Sequence, residues 1–219
     1  MAKRKITLIH ASRASLAPLD GYYPKEAPEL DITNLLDDGV MKLFRSGEMR
    51  IAARRLADMI ATGRDVYGAD LALLSCSAVT RPALEELRAG AGIPLLKIDE
   101  PMARLAVTAG RRIGVIVTFP PTQAVTRELL EDAAAGKPLE IVDELIPEAV
   151  EAILAGDQAT HDQLLTAAAG RLAEKQVDAI VLAQVSMAHL VPVLKEGTRL
   201  PVFSSLETSL VEVRRVLGI

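Results

Sequence analysis

Short apolar runs alternate along this chain with longer stretches in which apolar residues recur every three or four positions. These are the signatures of buried strands and amphipathic helices. Ile6 to His10 reads as a first strand, followed by a small polar turn, Ala11 to Ser15. Leu16 to Pro28 reads as irregular, because Pro18, Gly21, Pro24 and Pro28 discourage a long helix. Leu30 to Leu35 predicts a second strand, and helical periodicity from about Val40 to Ala61 is broken or kinked near Ser46-Gly47. Asp70 to Cys76 is a third strand and Ile93 to Ile98 a fourth, followed by a helix over Pro101 to Ala109. Arg112 to Val117 is a fifth strand, Thr118 to Thr122 a turn, and a helix then runs to about Ala135. Leu139 to Asp143 is a sixth strand. Thr160 and Gln163 have capping-box spacing and predict a helix from His161 to Lys175. Asp178 to Gln184 and Leu200 to Ser204 complete the strands, and Leu206 to Leu217 is a final helix.

Strands separated by helices call for parallel pairing with right-handed crossovers, and so for an α/β fold. The spacing adds a duplication. Ile6-Thr7-Leu8-Ile9 and Ile113-Gly114-Val115-Ile116 lie 107 residues apart, Cys76 and Gln184 lie 108 apart, and Ile93-Pro94 and Leu200-Pro201 lie 107 apart. The expected organisation is two pseudo-symmetric lobes, each a parallel sheet flanked by helices. The first, 1–98 plus 206–219, carries Cys76; the second, 99–205, carries Gln184. A pseudo-twofold axis would bring the two strand ends to one inter-lobe cleft, with Cys76 and Gln184 on opposite faces of a planar carbanion.

The stretch DLALLSCSAVT holds the only cysteine of the chain, Cys76, past the end of an apolar run and ahead of Thr80-Arg81-Pro82, which reads as a helix start. At the carboxyl edge of an open sheet, where ligands bind, the helix dipole favours a thiolate there. The same residue type is equally at home as a small buried hydrophobe. The altered second copy, DAIVLAQVSMAHL, has Gln184 at the corresponding place, and a carboxamide does not titrate.

Composition narrows the partners. The 219 residues are 50% hydrophobic and 25% charged, as in a soluble globular protein, and the net charge of −4 gives no reason to expect nucleic acid or an anionic membrane. Three Phe, three Tyr and no Trp argue against base-stacking surfaces. One cysteine rules out an intrachain disulfide. Lys3-Arg4-Lys5 lead into an apolar run that reads as a strand and not as a secretory leader, so the cytoplasm is the default location. One Cys and three scattered His show no metal-ligand spacing, and no GxGxxG or P-loop is present. His10 either orients a substrate or is a packed or solvated histidine. His161 reads as a helix-start residue and His189 as a surface or lobe-interface one. Arg13 either pairs with a substrate carboxylate or is solvated, and Asp37-Asp38 reads equally as a helix cap.

The order and spacing of several stretches resemble the aspartate/glutamate/hydantoin racemase superfamily. These are LLSCSAVT around Cys76, IVLAQVSM around Gln184, the strand Ile113 to Thr118 with Thr118 and Thr122 beyond it, Asn34 to Asp38, and Gly156 to Asp162. The resemblance implies flavodoxin-like lobes, a homo-oligomer, no cofactor and no metal. It also implies a cysteine from each lobe flanking the α-carbon of a small-molecule carboxylate. Cys76 matches the first-lobe cysteine and Ser77 the neighbour that holds a substrate carboxylate. Thr118 and Thr122 match the polar turn of the second lobe, and Ser12 lies in the corresponding first-lobe turn. Ser186, beside the second strand end, joins Gln184 among the expected substrate-binding residues. Gln184 departs from the pattern by standing where the second cysteine belongs. The chain resembles in this respect the single-cysteine arylmalonate decarboxylase branch, in mirror arrangement. The expected activity is proton transfer at the α-carbon by one cysteine, with serines and threonines as an oxyanion cradle. The alternatives are decarboxylation or carbon–carbon cleavage with one-face protonation, and a non-catalytic small-acid-binding protein.

Overall fold

The computed structural model describes residues 3–219. The chain divides into two compact units, Met1–Ile98 with Leu206–Ile219, and Asp99–Ser205. In the first, β1 (Arg4–His10), β2 (Leu30–Leu36), β3 (Leu71–Leu74) and β4 (Leu95–Lys97) form a parallel sheet in the order β2-β1-β3-β4. In the second, β5 (Arg112–Val117), β6 (Glu140–Leu145), β7 (Ala179–Leu182) and β8 (Val202–Phe203) repeat it as β6-β5-β7-β8, again parallel. The shared order is the structural form of the sequence offset.

Both faces of each sheet are covered, which is why the central strands read as unbroken apolar runs. All four residues of β3 and of β7 are buried. In the second unit the alternation of side chains sorts the core into two layers. Ile116, Ile180 and Leu182 pack with Leu165 and Leu172 on one side, while Ile113, Val115, Val117, Ala179 and Val181 pack with Met102 and Leu130 on the other. The first layer belongs to helices α8 (Gln158–Glu174) and α9 (Val191–Thr198), the second to α5 (Glu100–Ala106) and α6 (Pro120–Ala134). A further helix, α7 (Pro147–Leu154), begins on a proline, whose missing N–H costs nothing in a first turn.

The first unit carries α1 (Leu16–Glu26), α2 (Gly39–Arg45), α3 (Met49–Asp65) and α4 (Arg81–Ala91). The periodic stretch after β2 breaks where expected, at Gly47, whose φ of 78° is open to a residue without a Cβ. The chain's last helix, α10 (Ser205–Leu217), completes this unit. The buried Tyr23 hydroxyl donates to Ser209 Oγ at 2.9 Å, and Arg214 binds Glu29 Oε1 and the Glu26 carbonyl.

Two local expectations are corrected. Leu16 to Pro28 is not irregular: α1 occupies most of it. Pro18 falls in the first turn, where no donor is needed, and Pro24 lies inside the helix at the loss of one hydrogen bond, while Leu19 and Tyr23 are fully buried and hold the helix to the core. Helix α8 starts at Gln158 and not at His161, because the Asp157 carboxylate accepts from Thr160 N at 3.0 Å and caps it earlier. The duplicated aspartates have a structural role. Asp70 Oδ2 accepts from Lys5 N at 2.9 Å, and Asp178 Oδ2 accepts from Arg111 N and Arg112 N at 2.7 and 2.8 Å. Each therefore pins the start of the neighbouring strand. Among the described residues no helix is long and apolar enough to cross a membrane.

Candidate functional site

Beyond β3 the chain is held to its neighbour by Ser75, whose amide donates to the Ile9 carbonyl at 3.0 Å. Cys76 follows, buried between the buried serines Ser75 and Ser77. Four residues, Ser77 to Thr80, separate the thiol from the first residue of α4, so Cys76 does not occupy the first turn where the dipole acts most strongly. The polarity around it comes instead from side chains.

These form a connected set that the sequence did not announce. The Ser75 hydroxyl lies 2.9 Å from the Ile9 carbonyl, 3.2 Å from His10 Nδ1 and 3.3 Å from Ser15 Oγ. Ser15 Oγ is 2.8 Å from both His10 Nδ1 and the Ser12 carbonyl. On the other side of the ring, His10 Nε2 meets Asn34 Oδ1 at 2.9 Å, and Asn34 Nδ2 donates to Asp20 Oδ1 at 2.6 Å. Because Asn34 must present its amide to the Asp20 carboxylate, its oxygen faces His10. The proton of the neutral imidazole is therefore on Nε2, and Nδ1 accepts from a serine. Burial lowers the His10 pKa, against the opposing pull of the Asn34 hydrogen bond and the Asp20 charge. Of the two readings of His10, the packed one matches these contacts. Ser12 caps the turn Arg13–Ser15, its Oγ accepting from Ala14 N at 3.3 Å, and joins the set through Ser15.

In the second unit the structure brings Thr118 and Gln184 together. Gln184 Oε1 accepts from Thr118 N at 3.1 Å, with the Thr118 hydroxyl at 3.4 Å. A backbone N–H can only donate, so the carboxamide oxygen is fixed there and the amino end points away. Gln184 Nε2 is buried with no hydrogen-bond partner, an orphan donor of the kind a ligand oxygen would satisfy. Thr122 is buried in the first turn of α6. Ser186 is buried in the 3-10 turn Val185–Leu190, and its carbonyl lies 3.1 Å from His189 Nδ1.

The remaining candidates lie apart from these contacts. Arg13 pairs with Asp38 at 3.5 Å, both well exposed. Asp37, not Asp38, makes the turn, accepting from Gly39 N at 3.1 Å and from Arg55 Nε at 2.8 Å. His161 and His189 converge on Asp162.

The family model for the Asp/Glu/Hydantoin racemase matches residues 44–213. A glutamate racemase of Vibrio campbellii is 24% identical over 144 residues, which is 64% of this chain and 52% of that protein. The chain thus matches only about half the length of that curated relative. Among solved structures, glutamate racemase isoform RacE1 from Bacillus anthracis superposes with a TM-score of 0.74 at 16% identity, over 100% of this chain and 83% of that one. Allantoin racemase from Klebsiella pneumoniae gives 0.70 at 22% identity, over 99% and 89%. At such identities these structures establish a common fold, two units of parallel sheet and helix, while the family-model match spans most of the sequence. The chain belongs to the Asp/Glu/Hydantoin racemase family.

Proposed function

We propose that this protein transfers a proton at the α-carbon of a small carboxylic acid without a cofactor, with Cys76 as its acid/base. The observation that carries the reading is the setting of the chain's sole cysteine: buried between two serines at the carboxyl end of a central parallel strand, in a racemase-family fold. A thiol can be tuned to give and take a proton near neutral pH. The thiolate removes the α-proton and becomes the thiol, and the electron pair left on carbon is delocalised into the carboxyl group. Return of a proton from sulfur to carbon restores the thiolate. Ser77, next to Cys76, supplies a donor for the oxygens on which the charge collects, and within the second unit the orphan amide of Gln184, oriented by Thr118, is a donor suited to a carboxylate oxygen.

A second reading is favoured by a specific observation. There is one cysteine, and Gln184, at the corresponding place in the second unit, cannot carry a proton. Such an enzyme exchanges or delivers a proton on one face. It could lose carbon dioxide from a malonate-type acid and protonate the resulting carbanion from Cys76, water then resupplying the thiol.

The test is incubation in heavy water with amino acids, hydantoins and substituted malonates, reading α-deuterium, optical rotation and carbon dioxide. Exchange with configuration kept supports one-face chemistry at Cys76, exchange with rotation lost supports racemisation, and carbon dioxide release supports decarboxylation. A carboxylate that binds, as a thermal shift, while no compound in any class reacts would replace the enzyme with a binding protein.

A further inference from the structure

His161 and His189 are far apart in sequence, with 27 positions between His189 and Asp162, yet they meet on one oxygen. Asp162 Oδ1 lies 2.7 Å from His161 Nδ1 and 2.8 Å from His189 Nε2, and the two rings are near-parallel at 24° with centroids 5.9 Å apart. One ligand atom from each of the three residues lies within 4.8 Å of the others.

The hydrogen positions make this cluster unusual. His189 Nδ1 faces the Ser186 carbonyl at 3.1 Å, and a carbonyl only accepts, so Nδ1 carries a hydrogen. His189 Nε2 faces a carboxylate oxygen, which also only accepts. A neutral imidazole has one N–H and satisfies one of these contacts. The Nε2 lone pair then points at a carboxylate unless a positive charge, a proton or a metal ion, lies between them. Donation of Nδ1–H to a backbone carbonyl is also the arrangement that fixes a metal-binding imidazole with its other nitrogen free.

We infer that His161 Nδ1, Asp162 Oδ1 and His189 Nε2 form a site for a divalent cation of the zinc type. Two imidazoles and one carboxylate are a borderline donor set, suited to zinc and poorly to magnesium or calcium. Three donors at about 2.0–2.2 Å from one tetrahedral ion stand about 3.4 Å from one another, so Asp162 Oδ1 moves away from the two nitrogens that now lie 2.7 and 2.8 Å from it as the ion enters between them. His189, whose side chain is 36% exposed, can adjust with it, while His161 is fixed at 0%. Water completes the coordination from the exposed side. His161 Nε2 is buried without a partner, so the polar work of that ring is done at Nδ1. The ion would tie the first turn of α8 to the 3-10 turn Val185–Leu190 that follows Gln184.

The test is calorimetric titration of the whole chain with zinc chloride, with magnesium and calcium as controls, on wild type and on His189→Ala, Asp162→Asn and Cys76→Ser. The expected result is one zinc per chain, a raised melting temperature, no response to magnesium or calcium, and affinity lost by at least about tenfold in His189→Ala and Asp162→Asn. Cys76→Ser should bind as wild type does. The half-exposed position of His189 keeps its variant foldable, and circular dichroism checks this. Absence of one-to-one zinc binding overturns the inference. So does equal binding by folded His189→Ala, or loss of binding in Cys76→Ser, which would place the ion on the thiol. Cobalt substitution is the second readout: a visible band without sulfur-to-cobalt charge transfer is required.

Discussion

His10 is packed into a polar pocket of its own, so its protonation is linked to folding. Burial lowers its native pKa below the ordinary 6.5. Between those two values the unfolded chain binds more proton than the native one, so stability rises with pH across that window. The contribution is complete above 6.5 and is lost as the pH falls through the native value. Urea unfolding of wild type and His10→Gln at pH 7.5 and in the acid window should give a steeper acid loss for wild type, and parallel losses would contradict the linkage. Gln184 is the second informative residue. Gln184→Cys removes the acceptor for the Thr118 amide, at a cost of about 1–3 kcal/mol in stability. Urea unfolding of wild type and variant reads this loss, and an unchanged midpoint would show that the Thr118–Gln184 contact carries no stability.

At the scale of elements, helix α3 lies close on β1, and Gly63 is the reason it can. A Cβ at this position would stand 2.7 Å from Thr7 Oγ1 and 2.9 Å from Thr7 Cβ, with Thr7 fully buried. Gly63→Ala should therefore destabilise by about 1–3 kcal/mol, and adding Thr7→Gly, which removes both the hydroxyl and the Cβ that it meets, should cost less than the sum of the two single changes in denaturant unfolding. An additive double variant would mean the contact is not the cause. The strands and most helices were legible because their burial is periodic or continuous: LALL and AIVL are buried throughout and look so. Helix α1 was not, because Pro18 and Pro24 lie within it and match its two buried anchors, Leu19 and Tyr23, in number, and the first is tolerated only because it falls in the first turn. The polar set around His10 was not legible either. Asp20, Asn34 and Ser75 come from three separate segments, and only the parallel register, which places His10 beside Leu36 and Ile9 beside Leu74, brings them together. Cys76 and Gln184 stood out as candidates through the offset between repeats. The orphan amide of Gln184 follows only from the placing of Thr118.

For the molecule as a whole, the chain leaves its first unit after Ile98 and returns to it with α10. That helix buries Leu210, Val213 and Leu217, each worth about 1.5–3 kcal/mol, and adds the Tyr23–Ser209 and Arg214–Glu29 contacts. The second unit is continuous and has apolar layers on both faces of its sheet. A chain ending at Ser205 should lose hydrogen-exchange protection in β1, β2, β3 and β4 while β5, β6 and β7 keep theirs. Equal loss in both sheets would mean that the two units do not hold their stability separately.

Proton transfer in this protein rests on Cys76. Once an exchanging substrate is found, the direct measurement is the rate of α-deuteration in heavy water by wild type and by Cys76→Ala, with folding checked by circular dichroism. Removing one sulfur at a buried site should leave the chain folded, with a small cavity cost. Exchange should fall to the uncatalysed rate in the folded variant. A folded Cys76→Ala protein that still exchanges the α-proton at a substantial fraction of the wild-type rate would contradict it.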